Sequence, residues 1–175
     1  MKLVVGLGNP GNRYNFTRHN VGFLALDYYF KRNKLEWRDK AFLGAMRGSC
    51  DDVLFIKPQN FYNETGGVVA SYMRHFKIPA SGILVICDNF DLGFGLVRYR
   101  ASGLAGGNNG LKSIDAALGG SDYARVRIGT GNDELRAKLG DIEFVLSKFT
   151  SEEKEKLPII LSEVLDKINA FICAG

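Results

Sequence analysis

His19 is the residue of this sequence best suited to moving a proton. It stands in Thr17-Arg18-His19-Asn20, behind a loop of Asn, Pro and Gly and at the head of a run with helical spacing. The positive end of a helix dipole disfavours an imidazolium, so a ring in that place is suited to accept a proton. A carboxylate on its other nitrogen would fix the tautomer and stabilise the charge that forms. Asp88, which closes the apolar run ILVIC, is the candidate. Asn9 follows the first apolar run, Phe61 and Asn63 follow VLFIKP, and Asn108 and Asn109 end a Gly-rich stretch; Asn89 and Asp91 lie just beyond Asp88. One histidine, one aspartate and several amides gathered from different strand ends form an inventory suited to hydrolysis. The residue types alone leave open that His19 only caps or packs.

Other chemistries find less support. No GxSxG elbow is present, and Ser49, Ser71 and Ser102 lack a nucleophile-like context. Cys87 sits inside an apolar run and reads as buried. Water activated directly by His19 therefore fits better than a covalent intermediate. With no CxxC or HxxxH pair and two histidines in all, no metal site is expected. Cys50, Cys87 and Cys173 are too widely spaced for a disulfide framework and read as free thiols. His75, late in a polar-faced helix, reads as a surface residue.

These side chains need a frame, and the periodicity supplies one. KLVVGLG, FLGAMRGS, VLFIKP, ILVICD, LVRYR and ARVRIGTG read as strands, with Asp51-Asp52 turning a hairpin between the second and third. Helices are expected over about 18–33 with Thr17 as cap, from Asn63–Gly66 to about His75, and over Leu111–Leu118. ASGLAGGNNG reads as a mobile Gly-rich loop and residues 132–143 as polar loop. Thr150 and Glu153 form a capping box for a last helix with one apolar stripe, Leu157, Ile160, Leu161, Val164, Ile168 and Phe171. Pro158 should kink that helix or mark its effective start. Strands alternating with helices, undivided by any linker, predict one α/β domain over residues 1–175, with a mixed, mostly parallel central sheet flanked by helices. In such sheets sites gather beyond the carboxyl ends of strands.

Gly6, Gly8 and Gly11 match GxGxxG after a strand. The dinucleotide motif needs the glycine turn to open straight into a helix. Here Pro10, Gly11 and Asn12 prolong the loop, and no acid ends a second strand about twenty residues on. A nicotinamide or flavin enzyme is disfavoured, and no cofactor is expected.

The chain carries 46% hydrophobic and 24% charged residues, ordinary for a globular protein. No apolar run approaches the roughly 20 residues of a membrane span. The opening apolar stretch is too short for a signal peptide, so a cytoplasmic protein without membrane contact is expected. The net charge is +4, yet the segment from Thr150 onward holds five acids against three bases. Arg98, Arg100, Lys112, Arg125 and Arg127 all fall within thirty residues, which suits either a solvated face or an anionic partner such as nucleic acid.

The motifs together resemble the bacterial-type peptidyl-tRNA hydrolases. The likeness runs nearly end to end: GLGNPG with Tyr14 and TRHNVG, KPQNFYNETG at 57–66, CDNFDL at 87–92, GGNNGLKSI at 106–114, RVRIGTG at 125–131 and FVLSKF at 144–149. The resemblance implies hydrolysis of the ester joining a peptide to the 3′ end of tRNA, recycling tRNA from prematurely released peptidyl-tRNA. It implies His19 as base, Asp88 as its stabilising acid, and Asn9 as the residue that tells a blocked amino group from a free one. Tyr14, Phe61, Asn63 and Asn109 match the groove for the peptide and terminal adenosine. Arg98, Arg100, Lys112 and Arg127 correspond to a basic surface near the RNA backbone. The resemblance also implies a monomer with no obligate protein partner. A relative that binds RNA without cutting the ester is the rival, and retention of His19, Asp88, Asn9 and Asn63 together speaks against it. Four positions depart from the family pattern: Cys87 and Asn108 stand where His is frequent, Gly93 replaces Pro, and Tyr62 replaces Met in Phe-Met-Asn.

Overall fold

Short apolar runs without strict alternation suit strands covered on both faces, and such runs make the centre of the sheet. The computed structural model describes residues 1–38 and 42–174. Its strands are β1 (Lys2–Gly6), β2 (Ala45–Cys50), β3 (Val53–Pro58), β4 (Ile83–Gly93), β5 (Val97–Arg100) and β6 (Ala124–Gly131). They lie in the order β2-β3-β1-β4-β6-β5. The pairs β3-β1, β1-β4 and β4-β6 are parallel, and β2 and β5 close the two edges antiparallel. This is the mixed, mostly parallel sheet of a single α/β domain expected from the sequence.

The helices are α1 (Val21–Arg32), α2 (Thr65–Phe76), α3 (Asn109–Leu118), α4 (Asp133–Leu139), α5 (Asp141–Leu146) and α6 (Ser151–Cys173). From β1 the chain crosses to β3 on one side, and from β3 it crosses back over β1 to β4 on the other. Right-handed crossovers in opposite directions place their helices on opposite faces. Residues of α1 and α6 accordingly pack with Val4, Phe55 and Ile86 in one core, and residues of α2 and α3 pack with Leu3, Val5 and Val85 in the other. The reversal opens a crevice beyond the carboxyl end of β1.

Gly6 and Gly22 serve packing. A Cβ at Gly22 would stand 2.4 Å from the Ile86 carbonyl oxygen and 2.6 Å from the Leu7 nitrogen, and one at Gly6 would stand 2.6 Å from the Gly22 oxygen. Only bare backbone lets the first turn of α1 press onto β1 and β4 this closely. That approach sets how far residues 18–20, just ahead of α1, stand from the end of β4.

Two local expectations change, and a third narrows to one of its alternatives. Residues 18–20 form a 3-10 turn, α1 begins at Val21, and the Thr17 hydroxyl donates to the Tyr14 carbonyl (2.8 Å) instead of capping. Residues 132–143, expected as loop, hold α4 and the start of α5. The Asn132 side chain caps α4 by accepting from the Leu135 N–H at 3.1 Å, and Gly140, at φ +76°, turns the chain between the two helices. Helix α6 starts at Ser151 on its capping box and runs through Pro158. Pro158 and Lys154 are both exposed, so the carbonyl left without an N–H partner can face water. The far end of α6 is tied to β1 by Lys2, whose Nζ donates to the carbonyls of Phe171 (2.7 Å) and Ile172 (2.9 Å).

Candidate active site

The Asn9 backbone and the Asn20 side chain interlock at the mouth of the crevice. The Asn9 N–H donates to Asn20 Oδ1 and Asn20 Nδ2 returns a bond to the Asn9 carbonyl, both at 2.9 Å. The loop after β1 is thereby pinned to the turn that carries His19. Beneath that turn Arg18 is fully buried. Its guanidinium donates to Glu153 Oε2 (2.7 Å), Glu153 Oε1 (3.1 Å) and the Thr130 carbonyl (3.0 Å), and it lies over the rings of Phe144 and Phe149. Burial works to raise the Glu153 pKa, but hydrogen bonds from Arg18, the Thr150 backbone and Asn132 hold it below the usual carboxylate range.

His19 reaches Asp88 through Nδ1, at 2.9 and 3.0 Å from the two carboxylate oxygens. A carboxylate only accepts, so Nδ1 carries a proton, and in the neutral ring Nε2 keeps its lone pair. The His19 side chain is 15% exposed and that of Asp88 2%, so the acid is sealed while the ring still reaches the crevice. Asp88 lies within β4, followed after Asn89 by a shift in the β4–β6 register that re-aims the strand.

Tyr62 was absent from the sequence-derived set. It lies in the 3-10 turn Tyr62–Glu64 after β3. Its ring stacks on His19 with centroids 3.5 Å apart and planes at 9°, and its hydroxyl donates to Asp88 Oδ1 at 2.7 Å. Asn108 Nδ2 donates to the Tyr62 oxygen (2.8 Å), while Asn108 Oδ1 caps α3 by accepting from the Leu111 N–H (3.0 Å). Burial, then the negative charge of Asp88, pushes the Tyr62 phenol well above its ordinary range. The neighbouring Cys87 is fully buried, and burial, with Asp88 adding to it, raises its thiol to about 12. The sequence signals for Tyr62 were its place between two residues already singled out and its departure from the Met of the family pattern.

Two cavities meet at His19. One, of about 330 Å³, is lined by Asn9, Tyr14, Phe61, Asn63 and Asn109, with Ile142 and Leu146 of α5 opposite. The other, of about 290 Å³, is lined by Asp88, Asp91, Arg127, Asp141 and the glycines of the loop before α3. His19 and Asn109 border both. The structure thus brings His19, Asp88, Asn9, Tyr14, Phe61, Asn63 and Asn109 together. Asn9 Oδ1 accepts from the Tyr62 N–H at 2.8 Å, which leaves its amide NH₂ as the group that can face the groove.

The basic residues separate. Arg98 and Arg100 are exposed on edge strand β5, and Lys112 is exposed on α3. Arg127 is half-buried, and its Nη2 donates to the Leu104 carbonyl (2.5 Å), tying down the Gly-rich loop. Arg125 is fully buried over the Tyr123 ring and is no part of any surface. Among the described residues, no group of three or more His, Cys, Asp or Glu could hold a metal ion, and no helix is long and apolar enough to cross a membrane.

Comparison with known proteins places the chain. The family model described as peptidyl-tRNA hydrolase matches residues 3–175. The peptidyl-tRNA hydrolase of Lactobacillus gasseri is 39% identical over 175 residues, covering 98% of this chain and 93% of the relative. That of Citrifermentans bemidjiense is 40% identical over 178 residues, covering 99% and 93%. The solved peptidyl-tRNA hydrolase of Acinetobacter baumannii superposes with a TM-score of 0.85 at 27% identity, over 98% of this chain and 88% of that one.

Proposed function

Because the chain belongs to the peptidyl-tRNA hydrolase family and is a hydrolase of the ester bond in peptidyl-tRNA, we propose that His19 is its general base and that water, without a covalent intermediate, attacks the ester. The observation that carries the reading is the His19–Asp88 pair, with Nδ1 bonded to the acid and Nε2 left for the crevice. Nε2 takes a proton from water as its oxygen bonds to the ester carbonyl carbon. Asp88 steadies the imidazolium. Collapse of the tetrahedral intermediate breaks the bond to the ribose oxygen, which recovers the proton from His19. A positioned general base supplies roughly a hundred- to ten-thousandfold, and one donor to the oxyanion roughly a hundred- to a thousandfold.

The amide NH₂ groups of Asn9 and Asn63 are the candidate oxyanion donors. A donor at Asn9 also suits the carbonyl of a blocked amino group and disfavours a free ammonium, which supports discrimination of peptidyl- from aminoacyl-tRNA. Tyr14, Phe61 and Asn109 line the same groove and hold the peptide and terminal adenosine. Arg98, Arg100, Lys112 and Arg127 meet the RNA backbone. In this reading residues 1–175 act as one catalytic domain, a cytoplasmic monomer without cofactor or obligate protein partner, returning tRNA from prematurely released peptidyl-tRNA.

The test is release of peptide from N-blocked aminoacyl-tRNA. His19→Ala should lose at least about a hundredfold in rate with the protein still folded. Equal rates for the two proteins would overturn the assignment.

A further inference from the structure

Tyr62 touches every other part of the dyad. Its ring lies face to face with the imidazole, its hydroxyl bonds the Asp88 oxygen that His19 also contacts, and its backbone N–H holds Asn9. The fold makes room for this ring: a Cβ at Gly110 would lie 2.5 Å from Tyr62 Cε1, so a glycine at the start of α3 admits the phenol. Asn108 completes the seat by donating to the phenol oxygen, leaving the hydroxyl proton for Asp88. A thioether or alkyl chain at this position would supply neither the stack nor the donor.

We propose that Tyr62 is a positioning residue of the hydrolysis, whose ring seats His19 and whose hydroxyl shares the Asp88 carboxylate with it, setting both the aim of the base and the negative charge it feels. The inference rests on His19 being the base. Two effects act in opposite directions. An imidazolium over an aromatic face gains a cation–π attraction that the neutral ring lacks, so the stack favours the state in which His19 has taken the proton. A phenol donating to Asp88 withdraws charge from the carboxylate and weakens its pull on that same imidazolium. Burial keeps the phenol protonated, and hence a donor, throughout the working pH range.

The remaining charged or titratable groups around His19 come from several elements: Asp91 of β4, Arg127 of β6, Asp141 of α5, Tyr14 of the first loop, and Arg18, which is paired with Glu153. Substitution at Tyr62 leaves all of them in place, so they cancel in a comparison.

The experiment is the pH dependence of kcat and kcat/KM on N-blocked aminoacyl-tRNA for wild type, Tyr62→Phe, Tyr62→Leu and His19→Ala. In Tyr62→Phe the ring stays and the donor goes. Asp88 then pulls harder on the imidazolium, so the acid limb of kcat/KM should move up by about half a pH unit or more. Its kcat at the optimum should fall roughly three- to tenfold with KM unchanged, because the carboxylate loses one of the bonds that aim it. Tyr62→Leu, losing the stack as well, should fall about tenfold further. Loss of activity in His19→Ala with an unmoved limb in Tyr62→Phe overturns the role of Tyr62 alone. Full activity in His19→Ala overturns the base assignment and this role with it. Should Tyr62→Phe fail to fold, 3,5-difluorotyrosine placed at 62 keeps the packing and strengthens the donor. The limb must then move down, and a limb that stays put rejects the proposal.

Discussion

At Asp88 one buried carboxylate serves two strong donors, His19 Nδ1 and the Tyr62 hydroxyl, with Asn108 Nδ2 further off at 3.5 Å. A buried carboxylate is tolerated only when it is bonded in this way, so Asp88 is held by Tyr62 as well as by His19. The residue before it illustrates the same environment from the opposite side. Cys87 has no such donors, and burial drives its thiol to about 12. A thiol alkylates only as thiolate, so in native protein at pH 8 iodoacetamide should label the exposed Cys50 and Cys173 and spare Cys87. Peptide mass spectrometry checks this, and labelling of Cys87 at the rate of the other two would mean the β4 core opens readily. Asp88 and His19 were legible in the sequence because the one closes an apolar run and the other heads a run with helical spacing, although β4 continues past Asp88 to Gly93 and His19 sits in the turn ahead of α1. Tyr62 was not legible as a partner. Phe-Tyr-Asn reads as an aromatic followed by an amide, and only the 3-10 turn after β3 swings the phenol under the imidazole and its hydroxyl onto a strand two positions away in the sheet.

The elements around the dyad are locked by one buried ion pair. Arg18, adjacent to His19, binds Glu153 in the first turn of α6, and Glu153 also accepts from the Thr150 N–H in the capping box. One carboxylate thus starts a 23-residue helix and holds the turn bearing His19. The capping box was readable from Thr150 and Glu153, as were the six strands and the apolar stripe of α6, because period and cap chemistry are local. The Arg18 link was not, since it joins residues 135 apart. Helices α4 and α5 escaped for a different reason. Each is two turns or less with few buried residues, so the signal was the Asn132 cap and the Gly140 break rather than a stripe. Breaking a buried pair from one side leaves a charge without compensation and costs about 3–5 kcal/mol, and Glu153→Gln should lose about that much stability at neutral pH. The sign with pH follows from the lowered Glu153 pKa. The native state holds this carboxylate ionised more readily than the unfolded chain does, so its stabilisation is full above the unfolded value. It drains away as pH falls through the lower folded one. Thermal melts should therefore show wild type and Glu153→Gln far apart at pH 7 and converging towards pH 3. A gap that persists at acid pH would mean that the ion pair is not its source.

At the scale of the whole molecule, one edge of the sheet carries charge that works against folding. Arg98 faces Arg127 and Arg100 faces Arg125 across the β5–β6 ladder, and like charges directly opposite one another destabilise a sheet. Among the described residues none of these four arginines, nor Lys112, shares a salt bridge with an acid. Arg125 is spent on the core and Arg127 partly on the loop, so the outward charge comes from Arg98 and Arg100 on the edge strand and Lys112 on α3. An edge strand presenting unpaired guanidinium groups resists pairing with another sheet and suits a polyanion. Binding through such contacts releases counterions, with a slope of log affinity against log salt near −0.9 per phosphate neutralised. About three contacts would weaken binding roughly 40-fold as salt rises from about 50 to about 200 mM. The effect should enter through KM, with kcat steady, because phosphate contacts position the tRNA and take no part in the ester chemistry. Arg100→Ala should lower that slope by about one unit for every tRNA tested alike. A short N-blocked aminoacyl-adenosine, lacking the acceptor stem, should show almost no salt dependence with either protein. If the short substrate loses affinity with salt as steeply as tRNA does, the charge that matters lies in the crevice and not on β5.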